Sequence, residues 1–210
     1  SMQLLLEINV PQTTPENDYY YSFLISTKNP QTENSDTTSI AQGAIGSNII
    51  LTVSKTGESI ILPTVETFSL AGGTKVGNSI LFDSFDKIPV ELVVKNNGKN
   101  MFSPQGNIQL KGGMGGRAIY TIIPQNVLSH SIRKLIATPS AQLATGNSSS
   151  LNLSGFFIGG YDLSATLQFG VGTKTLYAQT KFFAFPFKLS LAVGISILIF
   201  IFIRRRLSEE

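Results

Sequence analysis

Apolar and polar residues alternate most clearly in IPVELVVKNNGKN, where Val90, Leu92 and Val94 interleave with Glu91, Val93 and Lys95 before an Asn/Gly run turns the chain. A period of two puts successive side chains on opposite faces of a strand. Shorter runs of the same kind follow in GNIQLK, RAIYTII, SIRKLIAT, GFFIGGYDLSATLQFG and TKTLYAQTKFFAF. Turn signals separate them: KGGMGGR, PQNVLSH and a Ser/Asn-rich stretch over residues 139–154. About seven short strands punctuated in this way predict a β-sandwich over residues 80–181, and roughly a hundred residues suffice to bury one such core.

Residues 1–70 carry weaker patterning. LLLEINV, residues 19–27 and residues 40–54 read as strands, and SKTGES as a tight hairpin with residues 60–62 returning. Four or five strands make only part of a sandwich. Residues 71–79, with Gly72, Gly73 and Gly77, read as a linker. The opening SMQLLLEINVPQ has no basic n-region, and Glu7 interrupts its apolar run, so it is not a signal peptide. It reads as the middle of a domain, and a trimmed or truncated cell-surface protein is the expectation.

The last apolar stretch differs in kind. Residues 189–203 contain no charge, with Ser190, Ser196 and Gly194 the only interruptions among aliphatic and aromatic residues. Fifteen helical residues rise about 22 Å, short of a hydrocarbon core of roughly 30 Å. Starting instead at Phe182 gives about 33 Å. The transmembrane helix is therefore predicted over residues 182–203, with Lys188 inside the outer interface and snorkelling outward. A buried core helix and a strand through ISILIFIFI are the alternatives. Three consecutive arginines beside the terminus disfavour the first, and the lack of helices to cover both faces of so apolar a strand disfavours the second. Arg204, Arg205 and Arg206 set a basic tail, residues 204–210, on the cytoplasmic side, leaving the bulk of the chain extracellular. Ser190 and Gly194 share a helix face at a spacing that permits close packing with a second helix.

Charge follows the same division. Of the 16 Lys and Arg, four are Lys188 and the arginine triplet, and Glu209 and Glu210 follow them. The remainder is nearly balanced, so the basic character belongs to the anchor, and no nucleic-acid partner is expected. The absence of cysteine removes disulfides, thiol nucleophiles and sulfur metal sites.

Several segments resemble a known family. Asn97-Gly98-Lys99-Asn100 matches a strand-ending N-x-G-N, and Pro104 to Ile108 a P-x-G-x-I strand. Pro124 to Ser131 match a P-x-x-V-L-P-G-S turn, with Ser129-His130 in place of Pro-Gly. EINVPQTTPENDYYYSFLI resembles the last strands of a preceding domain, with Asn17-Asp18 where glycine is usual. These features are similar to the extracellular immunoglobulin-like (CARDB- or fibronectin-like) domains of bacterial single-pass surface proteins. The resemblance implies an all-β chain: immunoglobulin-like β-sandwich domain(s), then one C-terminal transmembrane helix. It implies a fold and a location, and no activity. In such a domain Tyr161 stands as a candidate corner tyrosine.

Candidate chemistry is sparse. KGGMGGR has the wrong spacing for a phosphate loop, and no helix follows it. His130 is the sole histidine, so no multi-histidine metal site exists. Asp83 and Asp86 could hold calcium or act as acid and base, but more simply cap a turn. Asn147 and Asn152 fit the N-glycosylation pattern formally. Neither cofactor, metal nor catalysis is expected. Consecutive strand residues Tyr19, Tyr20 and Tyr21 cannot all be buried, and with Phe156 and Phe157 they form the candidate interaction surface. The partners expected are the lipid bilayer and a surface or membrane protein, or a cell-wall polymer. Carbohydrate- or peptide-binding and membership of a membrane complex are the alternative roles.

Overall fold

The computed structural model describes residues 5–26, 43–77, 79–113, 115–139, 151–170 and 173–207. Two sheets share one core. The smaller is built on β6 (Ile88–Asn96), whose inward residues Ile88, Val90, Leu92 and Val94 are all buried, as the alternation predicts. It pairs antiparallel with β3 (Pro63–Leu70) on one edge, and with β11 (Leu151–Leu153) and β9 (Ile132–Lys134) along the other. The larger sheet has seven strands in the order β10 (Ala137–Pro139), β8 (Arg117–Ile122), β7 (Gln105–Gly112), β12 (Gly159–Gln168), β13 (Leu176–Phe185), β5 (Ser79–Asp83), β4 (Thr74–Val76). All its pairings are antiparallel except β13 with β5, which run together from Phe182↔Ile80 to Phe185↔Asp83. Ile108, Leu110, Ile122, Leu163, Leu167 and Phe182 of this sheet meet the inward residues of β6 in one hydrophobic cluster. The arrangement is β-sandwich-type.

Both glycines of the resembling motifs mark close approaches of backbone to backbone. A Cβ at Gly106 would sit 1.9 Å from the Thr166 carbonyl oxygen, and one at Gly98 2.5 Å from that of Ile60. His130, standing where glycine is usual, adopts φ 54° and keeps the turn that Ser131 closes through its N–H to the Leu128 carbonyl.

The boundaries differ from those expected. Strand β3 lies within the segment assigned to a first domain, yet it pairs with β6 from Pro63↔Asn96 to Leu70↔Val90 and seals the main core. The expected linker holds β4, hydrogen-bonded to β5. Residues 60–62, expected to be a strand, instead bind the turn after β6: the Ile60 carbonyl accepts from the N–H groups of Lys99 and Asn100. What precedes them is a two-stranded ribbon, β1 (Asn17–Ser26) with β2 (Ala44–Val53), in register from Asn17↔Val53 to Ser26↔Ala44. The helix also starts later than predicted. Residues 182–185 belong to β13, because Phe182 and Ala184 point into the core while Phe183 and Phe185 point out, a period of two that no helix could satisfy. Pro186 then ends the strand, and α1 runs Phe187–Leu207.

Candidate membrane anchor and exposed surfaces

Helix α1 is long and apolar enough to cross a membrane, and none of its residues is buried against the sheets. Its 21 residues, charged ends included, span about 32 Å, of which the uncharged run 189–203 makes about 22 Å. Both hydroxyls are satisfied internally: Ser190 Oγ donates to the Pro186 carbonyl and Ser196 Oγ to that of Ala192, each at 2.8 Å. Internal pairing of this kind lets serine enter hydrocarbon. Gly194 faces open space: a Cβ there would meet nothing within 4 Å among the described residues. Arg204, Arg205 and Arg206 are the last turn of the helix, where cations complement the exposed carbonyl ends.

The start of the helix is held by a turn far away in sequence. Pro186 precedes the first helical residue and has no side-chain oxygen to cap the free N–H groups. The carboxylate of Asp83, at the end of β5, accepts the Lys188 N–H at 2.9 Å through Oδ2 and the Phe85 N–H at 3.2 Å through Oδ1. It acts as an N-cap supplied from the tertiary structure. Asp86 closes the turn, its N–H donating to the Asp83 carbonyl and its Oδ2 accepting the Asp83 N–H. Its other oxygen pairs with Lys188 Nζ. The two carboxylates are thus turn and helix caps. The Lys188 N–H holds the Asp83 carboxyl below its ordinary value of 3.8; burial opposes this, and the Phe85 N–H and the Lys188 charge assist it. Lys188 leans back toward the domain to reach Asp86, away from the apolar run 189–203.

Aromatic residues gather at this end. Phe157, proposed as exposed, is buried; its ring meets Tyr161 and Phe182 edge-on, and Tyr161 stacks on Phe182 at 5.0 Å. Tyr161 is the third residue of β12, and its hydroxyl accepts the Ile158 N–H at 3.2 Å. Phe156 is 55% exposed and leans on Phe85, itself 62% exposed, with ring centroids 5.1 Å apart. The Phe157 N–H donates to the Ser84 carbonyl, which ties the loop before β12 to the turn that caps the helix.

The opposite end carries the ribbon. Asp18 is buried at its base and accepts from Thr52 Oγ1 at 2.7 Å, from Asn100 Nδ2 at 3.0 Å and from the Met101 N–H. Tyr19 is half-buried, its hydroxyl donating to the Pro15 carbonyl. Tyr20 and Tyr21 are exposed. The Tyr20 hydroxyl titrates above its ordinary 10.0: partial burial is the main cause, the Ser129 N–H opposes it, and the Asp18 charge adds to it. Beyond them Phe23, Leu24, Ile25 and Ile45 are exposed on a ribbon with no third strand among the described residues.

A shallow groove of about 530 Å³ crosses the outward face of the larger sheet, lined by Gln109, Lys111, Arg117, Asp162, Ser164, Gln179 and Lys181 among others. Asp162 and Lys181 pair across strands at 3.1 Å on this wet surface. The Gly112–Gly116 tip closes a hairpin between β7 and β8. Met114 and Asn147 lie outside the described residues, and Asn152 lies in β11. The sequence assigned no role to Phe85, and none as buried polar groups to Asp18, Asn96 and Asn100. The NNGKN run was the signal for the last two, read as a turn and a strand-ending motif.

No protein-family model matches the chain, and no curated protein or solved structure matches it either.

Proposed function

We propose that the protein is a non-catalytic, single-pass, membrane-anchored protein of the cell surface, in which an immunoglobulin-like domain serves a structural or protein-interaction role. One observation carries the anchor: an apolar helix, bare along its whole length, is capped by the folded domain and ends in three arginines. A helix this apolar is not left in water, and the arginines favour the cytoplasmic side for its C-terminal end. Strand order supports the immunoglobulin-like reading. One edge strand, β3, pairs antiparallel with β6, and the chain then crosses to run parallel to the last strand, β13, through β5; β12 lies between β7 and β13. Tyr161, bonded back to the backbone three residues upstream, supports the corner-tyrosine assignment. The apolar ribbon at the far end favours a protein partner, since unpaired strand edges and exposed Leu24 and Ile45 suit strand addition. The polar groove favours glycan binding less.

Because the chain has no cysteine, single-cysteine variants test the topology. A membrane-impermeant maleimide should label Gln179→Cys on intact cells and Leu207→Cys only after permeabilisation. Equal labelling of both, or release of the chain from membranes by alkaline carbonate, defeats the proposal.

A further inference from the structure

The sequence holds an unresolved mismatch. Residues 189–203 supply about 22 Å of uncharged helix, roughly 8 Å less than a hydrocarbon core. Arginines can snorkel at one end. At the other, past Phe187 at the helix start, the next apolar surface is the β domain: Phe185, Phe85 and Phe156, each at least 45% exposed. Phe85 lies between the two carboxylates that hold the helix start, and the Phe156 loop is hydrogen-bonded to the same turn. Phe185 stands in register with Asp83. These rings are therefore level with the point where the helix leaves the domain. The one charge nearest them on the helix, Lys188, is paired with Asp86, which lowers the cost of bringing this rim to the headgroups.

We infer that the helix-side rim of the β domain is itself a lipid-binding surface: the Phe85–Phe156 pair enters the outer interface of the bilayer and seats the domain on the membrane. The inference rests on the membrane-anchor reading of α1. A ring pair sunk to the headgroup–acyl boundary supplies the missing apolar depth, and it adds a second attachment point beside the helix. Together with the Asp83 cap it fixes the angle at which the domain stands, and so the direction in which the ribbon at the far end points.

The chain contains no tryptophan, so single-tryptophan variants of the full chain report depth without background. Four are needed in liposomes of phosphatidylcholine brominated high on the acyl chains: Phe85→Trp, Phe156→Trp, Phe200→Trp within the helix, and the exposed far-end Tyr177→Trp. The Phe85→Trp and Phe156→Trp proteins, sunk about 5–10 Å into the headgroup–acyl boundary, should lose emission relative to unbrominated lipid, and Tyr177→Trp should lose none. Lipids brominated deep in the chain should quench Phe200→Trp. If Phe85→Trp and Phe156→Trp behave like Tyr177→Trp while Phe200→Trp is quenched, the rim does not dock and the anchor stands. If Phe200→Trp is not quenched either, the anchor reading falls and the docking inference with it.

Discussion

Asn96 offers the sharpest test of how the ribbon end of the sandwich is held. Its side chain is wholly buried and uses every polar atom. Nδ2 donates to the carbonyls of Asn100 at 2.8 Å, Leu128 at 3.2 Å and Val127 at 3.3 Å, and Oδ1 accepts the Gly98 N–H at 2.9 Å. Asn96→Ala would not orphan all of these equally. The Val127 carbonyl still accepts the Phe102 N–H, and the Leu128 carbonyl still accepts from Ser131. The Gly98 N–H and the Asn100 carbonyl lose the partner described for them. At about 1–3 kcal/mol for each of these two unsatisfied buried groups, the cost is roughly 2–6 kcal/mol. That is a large share of the ~5–15 kcal/mol by which a domain is stable. The neighbouring Asn97 is exposed and gives one hydrogen bond to Thr64 Oγ1, so Asn97→Ala should fall within about 0.5 kcal/mol of the parent. Urea denaturation of the detergent-solubilised chain, followed by the circular dichroism of the strands, compares the two directly. If Asn96→Ala shifts the midpoint no more than Asn97→Ala does, then buried polar closure does not hold this end together.

Ser84 Oγ is buried without a hydrogen-bond partner, so Ser84→Ala should stabilise the chain by about 0.5–1 kcal/mol; a lower thermal midpoint would refute this. Gly106→Ala should cost at least ~3 kcal/mol, or prevent folding, because its Cβ would strike the Thr166 carbonyl between two paired strands, and expression with trypsin resistance reads this out. The Asp83 cap has a defined pH dependence. Its folded pKa lies below the ordinary 3.8, so its contribution is complete above that value and is lost as pH falls through the folded pKa. Hydrogen exchange at the Lys188 amide, corrected for intrinsic rate, should therefore accelerate only on acidification below about pH 4, and the step should vanish in Asp83→Asn. Truncating Leu163, fully buried in β12, to Ala should cost about 2–5 kcal/mol in the same urea assay.

The strands beyond residue 88 were legible because one face is buried and the other wet, and period two records that asymmetry in the residues themselves. β6 is the clearest case, with Val90, Leu92 and Val94 inside. The first residue of the helix was misplaced for a related reason. Phe182 to Phe185 are apolar enough to extend a membrane span, and only the small Ala184 beside Phe182 hints at a strand whose inner face must pack tightly. Mean apolarity and alternation conflicted there, and alternation prevailed because Pro186 breaks the chain just after it. In the first region, β3 looked like part of a separate unit because GG and GN turns follow it. The first carries the chain from β3 in the smaller sheet to β4 in the larger, and the second joins β4 to β5 within the larger sheet; a turn's sequence does not say which neighbours the flanking strands will find.

The junction was not legible at all, and the reason is general to tertiary caps. Helix starts are recognised by a Ser, Thr, Asp or Asn just before the first turn. Here that position is Pro186, and the capping oxygen comes from Asp83, more than a hundred residues earlier in the chain. Asp83 and Asp86 did stand out in the sequence, as a pair three apart, but local spacing suggested only a turn, a calcium site or an acid–base pair. What makes them a clamp is the parallel pairing of β5 with β13, which ends with Asp83 opposite Phe185 and so delivers the carboxylate to the next chain segment beyond that strand. The same pairing brings Phe85 beside the helix. One strand register thus sets the cap, the ion pair and the aromatic rim together, and a change that slipped it by a residue would remove all three while leaving the apolar helix intact.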